Sequence, residues 1–264
     1  MNTKILVTGS EGQLAKTIKE LVVINKYNYE FVFVSKSDLD ITNSKDVLDL
    51  FINGGFNYCI NCAAYTNVEQ AEKTPQIAYA VNADGVNNLA IACKKTNAIL
   101  IHISTDYVFN GEKNKPYSPR DITNPINEYG KSKLLGEKHI QEVLDKYFII
   151  RTSWLYSKKY GKNFYHSILA KAKKGETLFV TDAETGCPTN TENLANYILE
   201  LIHSKSQNFE ILHFCDQKIM TWYEFAKKIL TDNELLKKTK FFKTKNYTTF
   251  AKRPKYSVLV KPEA

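Results

Sequence analysis

The sequence predicts an α/β protein with a Rossmann-type, doubly wound parallel sheet and a smaller C-terminal α/β lobe. Two observations support this fold class. A glycine-rich turn lies between an apolar strand and an amphipathic helix at the start of the chain. Strand-like and helix-like segments then alternate regularly over the first part of the chain, which is typical of parallel sheets covered by helices. The 264 residues, of which 43% are apolar, suffice for one nucleotide-binding domain with an addition.

The glycine-rich turn follows the predicted first strand, Lys4–Thr8. In this turn Gly9 and Gly12 allow the backbone to approach a pyrophosphate, and the next helix begins with free N–H groups and a positive dipole end. The spacing is G-x-x-G-x-x-A, and Ala15 is small enough for the helix to pack closely on the strand. The order of strand, glycine turn and helix therefore predicts a dinucleotide phosphate site.

The predicted second strand, residues 30–35, ends where a carboxylate would select NADH by binding the ribose 2′-hydroxyl. Ser35 and Lys36 stand there instead. A hydroxyl and a cation suit a 2′-phosphate, so the expected cofactor is NADPH, with NADH as the alternative. Lys36 could equally be a solvated loop lysine. Asp40 and Ile41, in the turn that follows, are expected beside the adenine.

The predicted third strand, residues 58–62, contains Cys59 and Cys62 in a C-x-x-C spacing. Strand residues three apart point to opposite faces, and neither a second pair nor a nearby histidine accompanies them. Reduced, buried thiols are therefore predicted. Ala63 and Ala64 follow this strand, and their small side chains would let a cofactor pass closely. The apolar spacing of residues 75–95 then predicts one long buried helix, with Asn82 on its inner side.

The most informative stretch places Tyr129 and Lys133 four residues apart in a predicted helix, so that both side chains project from one face. A tyrosine has an unperturbed pKa near ~10, and a fixed cation nearby stabilises its phenolate. An ordinary surface helix would show the same spacing. The preceding buried strand, residues 99–103, favours a site, because Thr105 and Asp106 lie at its carboxyl end. The Thr105 hydroxyl could then bind a substrate carbonyl that Tyr129 protonates.

The regular alternation ends after the fifth predicted strand, and this change divides the chain. Residues 1–155 are predicted to form the dinucleotide-binding domain, and residues 156–264 the smaller substrate-binding lobe. The helix 191–204 is predicted to return to the main body. The strand 210–214 and the helix 221–230 are assigned to the lobe.

The formal net charge of +8 raises the question of nucleic-acid binding. The lysines are scattered in ones and twos, and no basic block is interleaved with aromatic residues, so we expect no nucleic-acid partner. The positive charge instead favours a phosphorylated, anionic substrate. The sequence has no secretory leader and no apolar run approaching ~20 residues, which predicts a cytoplasmic protein without a membrane partner.

A set of motifs runs in order over nearly the whole chain. It comprises Thr8-Gly-x-x-Gly-Gln-Leu, Asp38-Leu-Asp-Ile-Thr42, Asn61-x-Ala-Ala-Tyr-Thr, Ser104-Thr-Asp-Tyr-Val-Phe109, Tyr129-Gly-Lys-Ser-Lys133, Arg151-Thr-Ser-Trp-Leu-Tyr156, Gly161-Lys-Asn-Phe164, Gly186-x-Pro-Thr189 and Arg253-Pro254. This ordered set resembles the dTDP-4-dehydrorhamnose reductase family, within the extended short-chain dehydrogenase/reductases.

The resemblance implies reduction of the C4 ketone of dTDP-4-dehydro-L-rhamnose to dTDP-L-rhamnose with NADPH or NADH. Tyr129 would donate the proton, Lys133 would hold the nicotinamide ribose and lower the pKa of Tyr129, and Thr105 would orient the carbonyl. The implied cofactor-binding residues are Gly9, Gly12, Gln13, Leu14, Ser35, Lys36, Asp40, Ile41, Ala63, Ala64, Tyr65, Tyr129 and Lys133. The implied substrate-binding residues are Thr66, Val68, Thr105, Asp106 and Trp154.

Two other functions stay open at this point. The same fold serves as the beta subunit of methionine adenosyltransferase, so a non-catalytic, NADP-binding regulatory subunit is one alternative. A reductase of another 4-keto deoxysugar nucleotide is the other. A monomer or a homodimer is expected.

The chain departs from the family pattern in three places. After Arg253-Pro254 it reads Lys-Tyr-Ser, where relatives commonly have a small or amide residue before the serine. Some family members bind magnesium through acidic residues at a dimer contact. Glu192 fits one such position, but Thr17 stands where a partner acid would be, so no metal is predicted. The chain also stops at Ala264, where relatives usually continue, and part of the lobe is therefore expected to be missing or replaced.

Overall fold

The computed structural model describes residues 3–25, 27–216, 218–245 and 248–260. A parallel sheet with helices on both faces forms the body of the protein. The strands are β1 (Lys4–Thr8), β2 (Glu30–Val34), β3 (Tyr58–Asn61), β4 (Ile99–Thr105), β5 (Tyr147–Thr152), β6 (Leu155–Tyr156), β7 (Leu178–Thr181), β8 (Thr185–Gly186), β9 (Thr189–Asn190), β10 (Glu210–Phe214), β11 (Met220–Thr221) and β12 (Phe241–Thr244). The helices are α1 (Gln13–Ile24), α2 (Ser44–Gly54), α3 (Val68–Lys73), α4 (Pro75–Tyr79), α5 (Gly85–Thr96), α6 (Glu128–Val143), α7 (Phe164–Lys173), α8 (Thr191–His203) and α9 (Trp222–Asp232).

In the described part of the chain the main sheet has six strands in the order β10-β5-β4-β3-β1-β2, all parallel. The chain passes from β1 outward to β2, returns across β1 to β3, and then continues to the other edge. This reversal creates a switch point between β1 and β3. Open parallel sheets bind their ligands in the crevice beyond such a point, at the carboxyl ends of the strands. The predicted doubly wound fold is confirmed.

Each face of the sheet has its own apolar core, because the buried parallel strands contribute side chains to both sides. Helices α2, α5 and α6 cover one face, with Phe51, Leu89 and Ile140 among the fully buried residues. Helices α1 and α8 cover the other face, where Ile18 and Ile198 are fully buried. These layers cover both faces of the sheet, and the carboxyl ends of the strands stay open to a ligand.

The sequence predicted one continuous helix over residues 75–95, and this is wrong in detail. A π-helical turn, Ala80–Asp84, separates α4 from α5. It contains the buried Asn82, whose Oδ1 accepts a hydrogen bond from the Tyr65 backbone N–H at 2.9 Å. Asn82 Nδ2 donates to the Tyr65 carbonyl at 2.9 Å and to Ser132 Oγ at 3.0 Å. Such π-turns are frequent at functional sites, and this one connects the segment after β3 to α6.

Strand β10 lies beside β5 in the main sheet, so its predicted place in the smaller lobe is wrong. The physical reason is that Leu212 and Phe214 are buried in the same core as α8. The division of the chain at residues 155 and 156 stays a prediction. Residues 261–264 of the predicted lobe lie outside the described residues.

The second part of the chain builds two smaller cores. One lies between α7, α9 and β7 and buries Ile168, Phe225 and Ile229. The other packs Val258 and Leu259 against the segment after β4. The residues beyond 233 show no clear helical or strand pattern, yet this last segment reaches the cavity at the carboxyl ends of the main strands through Arg253. The five cysteines are reduced thiols. No helix in the described ranges is long and apolar enough to cross a membrane.

Candidate functional site

A cavity of about 580 Å³ opens beyond the carboxyl ends of β1, β3, β4 and β5. This is the position that the switch point predicts for a ligand. Most of the site residues expected from the sequence lie in its wall. They are Gly12, Gln13, Leu14, Ala63, Ala64, Thr66, Val68, Thr105, Asp106, Tyr129, Lys133 and Trp154.

The glycine turn fits a cofactor phosphate. The first turn of α1 has neither a side-chain cap at Gly12 nor an acidic residue, so its N–H groups have no competing carboxylate. Gly9 lies just behind the cavity wall at φ 64°, and a Cβ there would stand 2.7 Å from the Ala63 backbone nitrogen. Only glycine allows this close approach of the two strand ends. The turn therefore offers an uncapped helix N-terminus to an anion.

Gln13 lines the cavity, but its amide is used within the protein. Its Nε2 donates to the Leu155 carbonyl at 3.0 Å. Its Oε1 accepts hydrogen bonds from the Ser157 backbone N–H at 3.1 Å and from Asn163 Nδ2 at 2.9 Å. Gln13 thus ties the glycine turn to the segment that follows β5, a role the sequence did not suggest.

The start of α6 is held in place from two sides. Asn127 caps the helix by accepting a hydrogen bond from the Gly130 N–H at 2.7 Å, and it donates to the Lys252 carbonyl at 2.8 Å. A Cβ at Gly130 would stand 2.2 Å from the Tyr107 carbonyl oxygen. The helix can therefore approach the segment after β4 closely, which brings Tyr129 to the end of that strand.

Tyr129 and Thr105 lie close together in the wall of the cavity. Burial raises the pKa of Tyr129 to about 12, the Thr105 hydrogen bond lowers it, and the nearby Asp106 charge raises it. The phenol therefore keeps its proton at neutral pH. A protonated hydroxyl at this place can act as a proton donor.

Asp106 is a buried acid beside this pair and is only 2% exposed. Burial raises its pKa to about 6, although hydrogen bonds from Ser257, Ser153 and Thr105 favour the charged form. The Ser153 hydroxyl lies 2.9 Å from Asp106 Oδ2, and the Thr105 hydroxyl 3.1 Å from Oδ1. Asp106 is thus fixed in place by hydroxyl groups on both sides.

Lys133 is 1% exposed, and its amine lies 2.7 Å from the Ile103 carbonyl and 3.1 Å from His102 Nε2. Burial lowers the pKa of Lys133 to about 8, while the charges of Glu137 and Cys62 raise it. The sequence predicted that Lys133 would lower the pKa of Tyr129. This is wrong for the ligand-free protein, because burial dominates at Tyr129 and the Lys133 amine is directed to β4.

Trp154 follows β5 with φ 46°, a conformation that is uncommon outside glycine. Its ring stacks on Trp222 with 3.5 Å between centroids and 4° between planes. The indole N–H of Trp222 donates to Glu184 Oε2 at 2.7 Å. A strained residue held by its neighbours is a feature of functional sites. The stack forms the wall of the cavity that faces α9.

Several lining residues were missed as site residues. Trp222 reads as an ordinary core aromatic in the sequence, whereas Arg253 belongs to a quoted motif and could have been found there. Arg253 Nη2 lies 2.8 Å from Glu69 Oε1, and its Nη1 lies 3.2 Å from the Tyr107 hydroxyl. The other lining residues that were given no role are Glu11, Asn61, Cys62, Ile103, Ser104, Tyr107, Thr152, Leu155, Tyr156, Gly161, Lys162, Asn163 and Phe164.

The expected adenine and 2′-phosphate residues lie outside this cavity. Ser35 lines a neighbouring cavity of about 660 Å³, together with Asp38. The Ser35 N–H and hydroxyl donate to Asp38 Oδ2 at 2.8 and 2.7 Å, so a carboxylate does stand near the end of β2. The Lys36 side chain is 81% exposed, with its amine 3.8 Å from Asp40. Ile41 is buried in the core, and Tyr65 is fixed by Asn82.

The two residues considered for a metal do not form an acidic pair. The Thr17 hydroxyl lies 2.8 Å from the Gln13 carbonyl and 3.0 Å from the Thr191 hydroxyl. Glu192 is exposed at the start of α8, where its backbone N–H is capped by Asn190. Within the described residues no three or more His, Cys, Asp or Glu side chains are grouped to hold a metal ion. The absence of a metal stays a prediction.

Comparison with known proteins shows the family of this chain. A family model described as the RmlD substrate binding domain matches residues 3–264. A dTDP-4-dehydrorhamnose reductase from Aggregatibacter actinomycetemcomitans is 36% identical over 97% of this chain and 90% of its own. A dTDP-4-keto-6-deoxy-D-glucose reductase from Streptomyces niveus is 34% identical, over 86% and 77%. The crystal structure of the Bacillus anthracis dTDP-4-dehydrorhamnose reductase in complex with NADP superposes with a TM-score of 0.94 at 37% identity, covering 99% of this chain and 91% of that one. The chain belongs to the dTDP-4-dehydrorhamnose reductase family.

Proposed function

We propose that this protein reduces the C4 ketone of a dTDP-4-dehydro-6-deoxy sugar with NADPH, converting dTDP-4-dehydro-L-rhamnose to dTDP-L-rhamnose. The observation that carries the proposal is the placement of Thr105 and Tyr129 together in the wall of one cavity. This pair faces a cavity whose wall also contains the uncapped glycine turn. A proton donor and a dinucleotide site at one strand edge are what a carbonyl reductase needs.

The cofactor would lie across the switch point of the sheet. The first turn of α1, from Gly12, would bind the pyrophosphate, and Ala63 and Ala64 would flank the rest of the cofactor. These residues fit the cofactor. Gly9 has no side chain to fill the space between the two strand ends, and the N-terminus of α1 has no side-chain cap. NADPH, when bound, would supply the hydride that adds to C4 of the ketone.

The chain's own residues would then manage the proton. Tyr129 holds its proton at neutral pH and would donate it to the oxygen that becomes negative as the ketone is reduced. Thr105 would hold that oxygen by a hydrogen bond, which fixes the carbonyl in reach of Tyr129. Lys133 in its charged form would bind the nicotinamide ribose and stabilise the phenolate that Tyr129 becomes.

The sugar nucleotide would occupy the side of the cavity towards α9. Trp154 stacks on Trp222 at the start of α9. The other proposed contacts in the cavity wall are Thr66, Val68 and Asp106. The Streptomyces relative is named for a different 4-keto sugar, which supports testing a second substrate. Rhamnose formation is the first choice because the first relative and the superposed structure both carry the rhamnose reductase name.

The test is a panel of dTDP-4-keto sugars with the purified protein, followed by the loss of NADPH absorbance and by identification of the product. Turnover of dTDP-4-dehydro-L-rhamnose to dTDP-L-rhamnose is expected. Tight NADPH binding without turnover of any 4-keto sugar would instead favour the regulatory-subunit alternative. Faster turnover of another sugar would change the substrate but not the reaction.

Tyr129→Phe is the matched variant for the mechanism. It removes the hydroxyl and keeps the ring, which packs edge-on against Tyr107 with centroids 5.8 Å apart. We expect kcat to fall by roughly 10²–10⁴-fold, the usual contribution of general acid catalysis. The NADPH dissociation constant, measured by fluorescence titration, should change little. A variant with wild-type kcat would show that another group donates the proton.

The cytoplasmic location, the monomeric or homodimeric state and the absence of a nucleic-acid partner stay predictions from the sequence. The oligomeric state is open to direct measurement by sedimentation. A monomer and a homodimer are both compatible with the proposed reaction, because the proposed catalytic residues Thr105, Tyr129 and Lys133 come from one chain.

A further inference from the structure

A chain of hydrogen bonds with a fixed direction runs from the segment after β3 to Lys133. It starts at Asn61, whose Oδ1 accepts the Ala63 backbone N–H at 3.1 Å and the Thr8 hydroxyl at 2.7 Å. A backbone N–H can only donate, so the Asn61 amide must present its oxygen there. Its Nδ2 therefore points to the other side, where it lies 3.0 Å from His102 Nδ1.

This orientation sets the tautomer of His102. The Asn61 Nδ2 group is a donor, so His102 Nδ1 must accept and the ring proton must sit on Nε2. His102 is completely buried, and burial followed by the Lys133 charge holds its pKa well below the usual value, so the ring stays neutral. The Nε2–H then points at the Lys133 nitrogen, 3.1 Å away.

The two forms of Lys133 respond differently to that proton. An uncharged amine can donate one hydrogen to the Ile103 carbonyl and accept from His102 with its lone pair. An ammonium has three hydrogens and no acceptor, so it faces the Nε2–H with its own hydrogens. We propose that His102 is a positioning residue whose Nε2–H, oriented through Asn61, donates to Lys133 and stabilises the uncharged amine in the ligand-free protein.

The other groups around Lys133 do not replace this contact. Glu137, one turn further along α6, attracts the ammonium, but its carboxylate is also held by Arg151, with Nη2 to Oε2 at 2.6 Å and Nε to Oε1 at 3.0 Å. Cys62 on the β3 side also favours the charged form. Tyr129 on the same helix stays neutral at working pH because its pKa is raised. Burial outweighs the attraction of these groups and lowers the pKa of Lys133 to about 8.

If Lys133 is charged, its ammonium hydrogens face the His102 Nε2–H. This repulsion is avoided only if the His102 proton moves to Nδ1. Asn61 would then have to turn its oxygen to His102 and its NH₂ group to the Ala63 N–H, which is unfavourable. The protonation of Lys133 is thereby coupled to the backbone at Ala63. In the proposed function that backbone flanks the cofactor, so the catalytic use of the coupling rests on the proposed function. The proton coupling itself does not.

The first test needs no cofactor or substrate. The Lys133 side chain is titrated by NMR in the ligand-free protein labelled with ¹³C,¹⁵N-lysine, and its signal is assigned by its loss in Lys133→Arg. We expect a Lys133 pKa near 8 in the wild type and an upward shift of about one unit or more in two variants. His102→Gln allows an amide oxygen to face the ammonium. Asn61→Asp draws the imidazole proton to Nδ1 and frees Nε2 as an acceptor.

His213→Gln is the matched control. His213 is another buried histidine of the main sheet, with Nδ1 3.0 Å from the Tyr117 carbonyl. The His213→Gln substitution should leave the pKa of Lys133 unchanged. The proposal is overturned by an unshifted Lys133 titration in either folded variant, or by an equal shift in His213→Gln. Folding of each variant is checked by its circular dichroism spectrum, and the two variants reach the result by opposite chemical changes.

The second test reads the consequence for catalysis. If charged Lys133 is the active form, kcat/KM falls as pH rises through the Lys133 pKa. This decline should move to higher pH, by about the same amount as the NMR titration, in His102→Gln but not in His213→Gln. A shifted Lys133 titration without turnover would contradict the proposed function and support the proton coupling. Turnover with an unshifted Lys133 titration would support the proposed function and contradict the proton coupling.

Discussion

The protonation of single residues determines what this site can do. Tyr129 holds its proton because burial raises its pKa, and this suits a proton donor in a reduction. Asp106, beside it, changes charge near pH 6 because burial raises its pKa as well. Neither shift could be predicted from the sequence, since both depend on burial at the meeting point of β4, α6 and the C-terminal segment. The residues themselves were identified correctly as members of the cavity wall.

The raised pKa of Asp106 gives a prediction for stability against pH. The folded-state pKa is about 6, against an ordinary value of 3.8. The associated stability is therefore fully present below pH ~4 and is lost as pH rises through ~6. Two pKa units correspond to about 3 kcal/mol. Asp106→Asn should remove this pH dependence, which urea unfolding at several pH values between ~4 and ~7 would measure. A curve for the variant as steep as that of the wild type would contradict the raised pKa.

Cofactor choice is a second question at the residue scale. Asp38 stands near the end of β2, held by Ser35, where its charge would repel a 2′-phosphate. Lys36 would attract that phosphate, but it is exposed and also lies near Asp40. Asp38→Asn should therefore raise the ratio of kcat/KM for NADPH to that for NADH several-fold, and Lys36→Glu should lower it. An exposed charge contact contributes on the order of 1 kcal/mol, which sets this scale. Unchanged ratios in both variants would place the selectivity elsewhere.

At the scale of elements, the sequence predicted best where the local pattern is strong. The unit of β1, the glycine turn and α1 folds as expected. Its apolar strand and amphipathic helix follow each other directly in the sequence. The predicted helix 75–95 is apolar with helical spacing throughout, yet a π-turn interrupts it because Asn82 bonds to both Tyr65 and Ser132. These partners are distant in the sequence. β10 was misplaced for the same reason, because its partner β5 lies far away in the chain.

The cap of α6 gives a prediction at this scale. Asn127→Ala removes the acceptor for the Gly130 N–H and the donor to the Lys252 carbonyl. Loss of a cap costs about 0.5–2 kcal/mol in the free energy of unfolding. Asn43→Ala is the matched control, since Asn43 caps α2 by accepting from the Lys45 and Asp46 N–H groups. Both variants should lose similar stability, but only Asn127→Ala should lower kcat, because Tyr129 lies in the first turn of α6. Equal kcat values in the two variants would show that the cap does not position Tyr129.

Over the whole molecule, the cavity is built by parts of the chain that meet only in the folded state. Strand β4 supplies Thr105 and helix α6 supplies Lys133, while Trp222 and Arg253 come from after residue 220. The motifs allowed the family and the first group to be predicted, because those residues lie in ordered local signatures. The stacking of Trp222 on Trp154 and the contact between His102 and Lys133 both depend on packing between distant segments. A local sequence pattern does not contain this information.

The stack of Trp154 on Trp222 joins these parts and gives the last prediction. Trp154 is held at φ 46° against a ring 3.5 Å away, so loss of that ring should release it. An aromatic pair contributes about 0.5–1.5 kcal/mol beyond its buried area. Trp222→Ala should therefore raise the KM for the sugar nucleotide up to roughly tenfold.

Trp222→Phe is the control for this change, since it keeps an aromatic ring over Trp154 and should keep most of the affinity. The NADPH dissociation constant should stay the same in both variants, because Trp222 is not among the residues proposed to bind the cofactor. Steady-state kinetics with each ligand varied separately would measure both effects. If the affinity for NADPH fell as much as that for the sugar nucleotide, Trp222 would support the whole cavity rather than its substrate side.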